Sequence, residues 1–377
     1  MKALILTCNT GQGHNSVAAA VEVSLLRRGE ECDITDALAF LSQRASDFIS
    51  SWHVRIYRYM PKVFRSGYKM AENHPSAFEE DSRIYKLIES GIDRLRDYVV
   101  SGGYDCLICP HVISAVMVTM LKNKYPELNL LTCNVATDYT CSPMTEESAL
   151  DLYFIPDESV LPEFLEAGIP KERLALIDGI PVRRDFYRRT PKNEAKAELG
   201  IPVESPHLIM MFGSMGCGPV DKLTVDLIEK LHSSAFVTIV CGTNRTLQRK
   251  LEWLCEFKEN FRVEGYVDDI SLLMDSADLY ITKPGGISVS EAAVKQLPML
   301  LVDTVAGCEE YNLRLFLDKG AAVTADGIDA QTTLCTALLC NGALLEAMRQ
   351  NLPPRKNSAD QIAARLCEEF SKRSGEE

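Results

Sequence analysis

Short, continuously apolar runs alternate with longer stretches of helical periodicity along the whole chain. In the first half the runs fall at residues 3–8, 32–35, 106–109, 130–135 and 152–155; in the second they fall at 208–212, 237–241, 262–267, 279–282 and 299–303. Runs this short, without a polar face, are those of strands buried on both sides. Between most of them apolar positions recur every three to four residues, as in 16–28 and 288–296, which predicts helices. Strands of this kind alternating with helices predict an α/β fold with parallel sheets covered on both faces.

The pattern starts twice. The runs at 3–8 and 208–212 each end in a glycine-rich turn, and between the halves lie Asp178-Gly179-Ile180-Pro181-Val182-Arg183-Arg184 and a polar stretch at 188–196. Proline and glycine mixed with charge mark a boundary. The expected organisation is a first domain over 1–178, a linker over 179–195, a second domain over 196–355 and a final helix within 356–377. That helix carries Ile362, Ala363, Leu366 and Phe370 on one face and is expected to pack back on the first domain. A chain of 377 residues holds two such cores comfortably.

Composition narrows the function. Hydrophobic residues make up 46% and charged residues 25%, which are globular values. No apolar run approaches the roughly 18–20 residues of a membrane span. The first run leads straight into Gly11-Gln12-Gly13, so it reads as a strand and not as a signal peptide, and a cytosolic protein is expected. Thirteen cysteines then imply thiols and not a disulfide framework. Cys106 and Cys109 form a CxxC inside an apolar strand, where residues three apart point to opposite faces; buried thiols are the expectation there, and no metal. A net charge of −13 argues against non-specific nucleic-acid binding.

One segment breaks the acidic trend. Residues 40–69 hold six basic residues against one acid, Asp47, with Phe48, Trp52, Tyr57, Tyr59, Phe64 and Tyr68 interleaved. Such a surface suits an anionic bilayer, with Trp52, Arg55, Arg58, Lys62 and Arg65 as the membrane contacts. The other reading is a helix pair whose aromatics pack inward and whose arginines are solvated.

Four turns carry candidate chemistry. The first, Thr10-Gly11-Gln12-Gly13-His14-Asn15-Ser16, joins a strand to a helix; its glycines permit close backbone approach to a ligand and the helix start offers free N–H groups. An unperturbed imidazole, with a pKa of about 6.5, suits a general base, which makes His14 the candidate, although it can equally serve as a helix cap. Asp33, about 20 residues on, gives the turn a weak dinucleotide-binding look. The second turn is Gly213-Ser214-Met215-Gly216-Cys217-Gly218. The third, Lys283-Pro284-Gly285-Gly286-Ile287-Ser288, follows the strand at 279–282, with Ser288 as the expected N-cap. It presents a helix N-terminus to a diphosphate, and Glu291 one turn later to a ribose or to its own helix start. The fourth, Gly307-Cys308-Glu309-Glu310-Tyr311-Asn312, places acids and an amide at the same sheet edge, either for sugar hydroxyls or as a solvated helix start. Asp268-Asp269 is expected to cap a helix.

These residues resemble, over nearly the whole chain, the monogalactosyldiacylglycerol synthase and processive diacylglycerol glucosyltransferase family, which is related to the enzyme adding N-acetylglucosamine to lipid I. The resemblance rests on Gly11, Gly13, His14 and Ala18 of the opening motif, on Gly179-Ile180-Pro181-Val182, on Gly213 to Gly218, on Thr282 to Ala292, and on Ala306 to Asn312. It implies a GT-B fold, meaning two facing Rossmann-like domains with a cleft between them. It also implies a UDP-sugar donor, a lipid acceptor such as diacylglycerol, inversion at the anomeric carbon, no bound metal or other cofactor, and peripheral attachment to the inner face of the plasma membrane. His14, with Asp138, would be catalytic. Gly11, Gly13, Asn15, His111 and Tyr139 would line the acceptor side. The donor would be bound by Gly213, Ser214, Met215, Gly216, Gly242, Asn244, Tyr266, Lys283, Gly285, Gly286, Ile287, Ser288 and Glu291, with Cys308, Glu309 and Asn312 at the sugar. Two departures bear on substrate: a family glutamine is replaced by Cys308, and Thr140-Cys141-Ser142-Pro143 stands where the family carries His and Trp. Rival readings are a UDP-sugar 2-epimerase, a nicotinamide dehydrogenase built on Gly11 to Ser16, and a catalytically silent UDP-sugar sensor.

Overall fold

The structure, a computed structural model, describes residues 1–8, 12–41, 83–304 and 307–375. The chain forms two compact units. One comprises Met1–Arg183, Ala306–Cys308 and Lys356–Glu377; the other comprises Arg184–Val305 and Glu309–Arg355. Gly11 and the membrane-contact candidates Trp52, Arg55, Arg58, Lys62 and Arg65 lie outside the described residues.

The first unit is a parallel sheet of β1 (Lys2–Thr7), β2 (Glu31–Asp36), β3 (Cys106–Cys109), β4 (Leu131–Val135), β5 (Leu152–Ile155) and β6 (Leu174–Leu176), in the order β2-β1-β3-β4-β5-β6. The second is a parallel sheet of β7 (His207–Met211), β8 (Phe236–Val240), β9 (Phe261–Glu264), β10 (Leu279–Thr282), β11 (Met299–Leu301) and β12 (Ala322–Val323), in the order β12-β11-β10-β7-β8-β9. Both are α/β layers of the kind the apolar runs imply. β3, β7 and β10 are buried at every position, because helices cover both faces of the sheet. β6 and β12 have no counterpart among the expected strands. They are edge strands of three and two residues, and unlike the three buried residues of β11 they are only partly covered, so they leave no apolar run in the sequence.

In each unit the chain leaves its first strand in one direction and returns on the other side. β1 has β2 on one flank and β3 on the other; β7 has β8 on one flank and β10 on the other. These two places are the topological switch points of the sheets.

The closing helix Ser358–Ser374 packs on the helix Gln12–Leu26. Ile362, Ala363 and Leu366 are buried and Phe370 is half-buried. Arg373 fastens its end, pairing with Asp151 at 3.1 Å and donating to the Leu130 carbonyl at 3.1 Å. Asp178 ties its start, accepting from the Lys356 N–H at 2.7 Å while its own N–H donates to Gln361 at 2.8 Å. In the second unit the buried Lys295 ammonium lies 2.7 Å from Asp275 and donates to the Arg188 carbonyl at 2.6 Å. Asp275 also accepts from the Thr190 N–H at 3.1 Å, so residues 188–190 are held to that unit.

His207 gives the second unit a pH dependence. The ring is fully buried, with Nε2 2.9 Å from the Thr238 hydroxyl and Nδ1 2.9 Å from that of Ser276. Burial pushes its pKa down to about 4, because the charged ring would lose its hydration. Between that value and the unfolded value near 6.5 the unfolded chain binds the extra proton. Stability is therefore complete above about pH 6.5 and falls as pH drops through this window. From pH 7 to pH 5 this one group removes about 2 kcal/mol, read as a lower urea midpoint. His207→Asn, which cannot titrate, flattens that slope; an unchanged slope overturns the assignment.

Candidate functional site

Open α/β sheets bind ligands in the crevice beyond the carboxyl ends of their strands, at the switch point. In the first unit this crevice is built around two histidines. The helix after β1 begins at Gln12, so Gly13, His14 and Asn15 stand in its first turn and not in a loop ahead of it. Periodicity places the start at Ser16 because the buried stripe begins at Val17, whereas residues 13–16 are half-buried.

His14 Nδ1 lies 2.9 Å from the Pro110 carbonyl oxygen and 3.2 Å from the Thr137 hydroxyl. A carbonyl only accepts, so Nδ1 carries the proton and, in the neutral ring, Nε2 is the basic nitrogen. His111 stands edge-on to it, with ring centroids 4.5 Å apart and planes at 74°. His111 is the N-cap of the helix Val112–Lys124, its Nδ1 accepting from the Ile113 N–H at 3.1 Å. Its proton is therefore on Nε2. The backbone thus holds the two imidazoles in opposite tautomers: one is set to accept a proton and the other to donate a hydrogen bond.

Around them is a polar pocket of about 50 Å³, lined among others by Asn134, Thr137, Thr140 and Ser142. Glu163, which sequence reasoning did not single out, shapes one wall: one of its oxygens accepts from the Thr140 hydroxyl at 2.6 Å and from the Cys141 N–H at 2.8 Å. Nothing in the sequence around Glu163 signals this, because its partners lie 22 and 23 residues away. Asp138 is half-buried on the same loop. Tyr139 is only 2% exposed, so its ring packs into the core of the first unit. Cys106 and Cys109 are buried free thiols, and burial pushes Cys109 up to about 12.

In the second unit the loops after β7 and β8 interlock. Gly216 has φ +54°, and a Cβ there would fall on the Cys241 carbonyl; Gly242 has φ +56°, and a Cβ there would fall on that of Ser214. The Thr243 N–H donates to Ser214 at 2.9 Å, and the Asn244 amide donates to the Gly216 carbonyl at 3.0 Å while capping its own helix at the Leu247 N–H. Gly242 and Asn244 therefore brace the glycine turn from below. Ser214 and Met215 are half-buried, and Tyr266 is 64% exposed.

Next to this turn, β10 ends in Lys283-Pro284-Gly285. The helix Gly286–Val294 has Gly285 as its N-cap, a residue with no side chain to bond the first-turn N–H groups. Ser288 is thus inside the first turn and is not the cap: the Gly285-Gly286 pair, which no Cβ restricts, lets the helix begin earlier. Glu291 is half-buried one turn in. Glu309 and Asn312, on the helix Cys308–Asp318, lie against the same turn. Asn312 is fully buried and its amide donates to the Pro284 carbonyl at 3.0 Å, which supports the turn. Glu309 is 6% exposed, with a carboxylate oxygen 3.9 Å from where a Cβ on Gly285 would stand. Cys308 is half-buried at the helix start, and Asp269 caps the helix Ile270–Ser276.

Known proteins share this pattern. The family model for monogalactosyldiacylglycerol synthase matches residues 14–182, and that for the glycosyltransferase family 28 C-terminal domain matches residues 208–366. A processive diacylglycerol beta-glucosyltransferase of Bacillus pumilus is 27% identical over 354 residues, covering 93% of this chain and 90% of that protein. Among solved structures, MurG of Acinetobacter baumannii superposes with a TM-score of 0.65 at 12% identity, covering 97% of this chain and 99% of that one. A putative UDP-N-acetylglucosamine 2-epimerase of Listeria monocytogenes reaches 0.63 at 12% identity, with coverage of 99% and 97%. At that identity the likeness extends to the fold, which is the GT-B glycosyltransferase architecture.

Proposed function

We propose, from the match of residues 14–182 to the monogalactosyldiacylglycerol synthase family and of residues 208–366 to the glycosyltransferase family 28 C-terminal domain, that the chain moves a hexose from a UDP-sugar to a lipid hydroxyl, that of diacylglycerol, at the cytoplasmic face of the membrane. The reaction is a single displacement with inversion. The acceptor oxygen bonds to the anomeric carbon, the bond from that carbon to the diphosphate breaks, and His14 Nε2 takes the hydroxyl proton. The observation that carries this reading is the contact between His14 Nδ1 and the Pro110 carbonyl, because it directs the basic nitrogen away from the backbone. Thr137 shares the Nδ1 proton, and the neighbouring Asp138 offsets the charge of the imidazolium that forms.

The second unit supplies what the departing diphosphate needs. The first-turn N–H groups of Gly286, Ile287 and Ser288 and the Lys283 ammonium meet its charge, so this mechanism calls for no metal or other cofactor. Glu291 accepts the ribose hydroxyls, and Glu309 faces the sugar with Cys308 beside it. Trp52, Arg55, Arg58, Lys62 and Arg65 are assigned to the anionic bilayer. No helix among the described residues is long and apolar enough to cross a membrane.

UDP release with UDP-glucose, UDP-galactose and UDP-N-acetylglucosamine, with and without diacylglycerol in anionic vesicles, tests the proposal. Release with one donor only when the lipid is present is the expected result. Lipid-independent release with a 2-epimeric sugar product, or binding of UDP without turnover of any donor, overturns it in favour of an epimerase or a sensor.

A further inference from the structure

Three strand ends meet on one edge of the second sheet, since β11, β10 and β7 are neighbours. Beyond β10 stands Lys283, beyond β7 the glycine turn, and beyond β11 Asp303, a residue that neither the sequence motifs nor the mechanism uses. Asp303 Oδ2 is 2.8 Å from the Lys283 ammonium, whose side chain is 13% exposed. The same oxygen is 3.1 Å from where a Cβ on Gly218 would stand, so the carboxylate lies against the glycine turn itself. Asp303 has φ +52°, a left-handed backbone that only glycine, asparagine and aspartate adopt with any ease. The strand end is bent so that an acid reaches across to the lysine.

That arrangement sets an anion beside the cation meant for an anion. Any diphosphate that engages Lys283 must share it with Asp303 or displace it, and the cost of the like charge grows with the charge brought in. The two phosphates of a nucleotide sugar are both esterified and carry about two charges. The terminal phosphate of a free nucleoside diphosphate ionises a second time near pH 6, which adds about one more. Asp303 therefore weighs more heavily on the product than on the donor.

We propose that Asp303 is a charge gate on the nucleotide site: it holds Lys283 when the site is empty and, when the site is filled, disfavours the more anionic nucleoside diphosphate relative to the nucleotide sugar, which speeds product release. This rests on the reading of the second unit as a nucleotide-sugar site.

The test is calorimetric binding of UDP and of UDP-glucose at pH 8 to the wild-type chain, to Asp303→Asn and to Asp303→Gly. Both substitutions remove the charge and both tolerate a left-handed backbone. The expected result is that each variant binds UDP about tenfold more tightly and UDP-glucose only about threefold more tightly, with the inhibition constant of UDP falling in parallel. Equal changes for the two ligands, no change, or weaker UDP binding overturns the gate. A wild-type chain that binds neither ligand overturns the nucleotide-site reading, and the gate with it. Binding by the wild type without a split between the ligands in the variants removes the gate alone.

Discussion

His14→Ala lowers transfer, read as UDP release, by about 10²–10⁴-fold, the range that a positioned general base contributes. The loss belongs in the chemical step and not in donor binding, because the donor residues other than Cys308 are on the second unit; the KM for the UDP-sugar stays within about twofold while kcat falls. The fold survives the change. His14 is half-buried in the first turn of its helix, and the Pro110 carbonyl and Thr137 hydroxyl it contacts border a polar pocket where water replaces the ring. His14→Gln separates two roles. A glutamine amide can still donate to the Pro110 carbonyl, but it has no basic nitrogen, so its activity stays near that of the alanine variant. Recovery of most of the activity by glutamine would show that His14 orients the acceptor and does not take its proton, and full activity in the alanine variant would remove it from the mechanism.

The second large effect is on stability. Gly242→Ala destabilises the second unit by about 2–5 kcal/mol, from two causes that add. The left-handed φ of +56° costs an alanine about 1–2 kcal/mol. A methyl group would also fall on the Ser214 carbonyl, and moving a packed backbone costs about 1–3 kcal/mol more. The backbone must move, because no flexible side-chain end stands there to give way. Since Ser214 also accepts from the Thr243 N–H at 2.9 Å, the shift propagates into the glycine turn, and UDP affinity falls with stability. Gly342→Ala is the control: it opens the helix Gly342–Gln350 with nothing within 4 Å of the added methyl, and alanine is the better helix former. It changes stability by less than about 1 kcal/mol. Urea denaturation measures both, and a Gly242→Ala loss below about 1 kcal/mol would show that the two turns are not interlocked in solution.

These expectations differ in how far the sequence alone supports them. His14 and the Pro284-Gly285-Gly286 turn stand out in the sequence because a glycine or proline flags the turn and the adjoining apolar run flags the strand end. Gly242 is also visible, but its action is not: the carbonyl it must avoid is 28 positions earlier. Ser288 was legible as a polar residue near a helix start, yet the start itself depends on how Gly285 leaves β10, which no residue type reports. Glu163 and Asp303 carry no local signal at all. Each is an acid in an unremarkable stretch, and each acquires its place only when Thr140 or Lys283 arrives from another strand end.

What the amino-acid sequence determined by itself is the class of fold and the ten strands other than β6 and β12. A run of apolar residues without a polar face has no stable alternative to burial between helices, and that preference is local. The edge strands β6 and β12 were left to tertiary structure, because two or three residues at a sheet edge bury too little to leave a pattern. So were the tautomers of His14 and His111, the brace beneath the glycine turn and the carboxylate on Lys283. Each is a pairing between groups that the parallel crossovers bring together at one sheet edge, and a pairing across a crossover has energy only after the chain has folded.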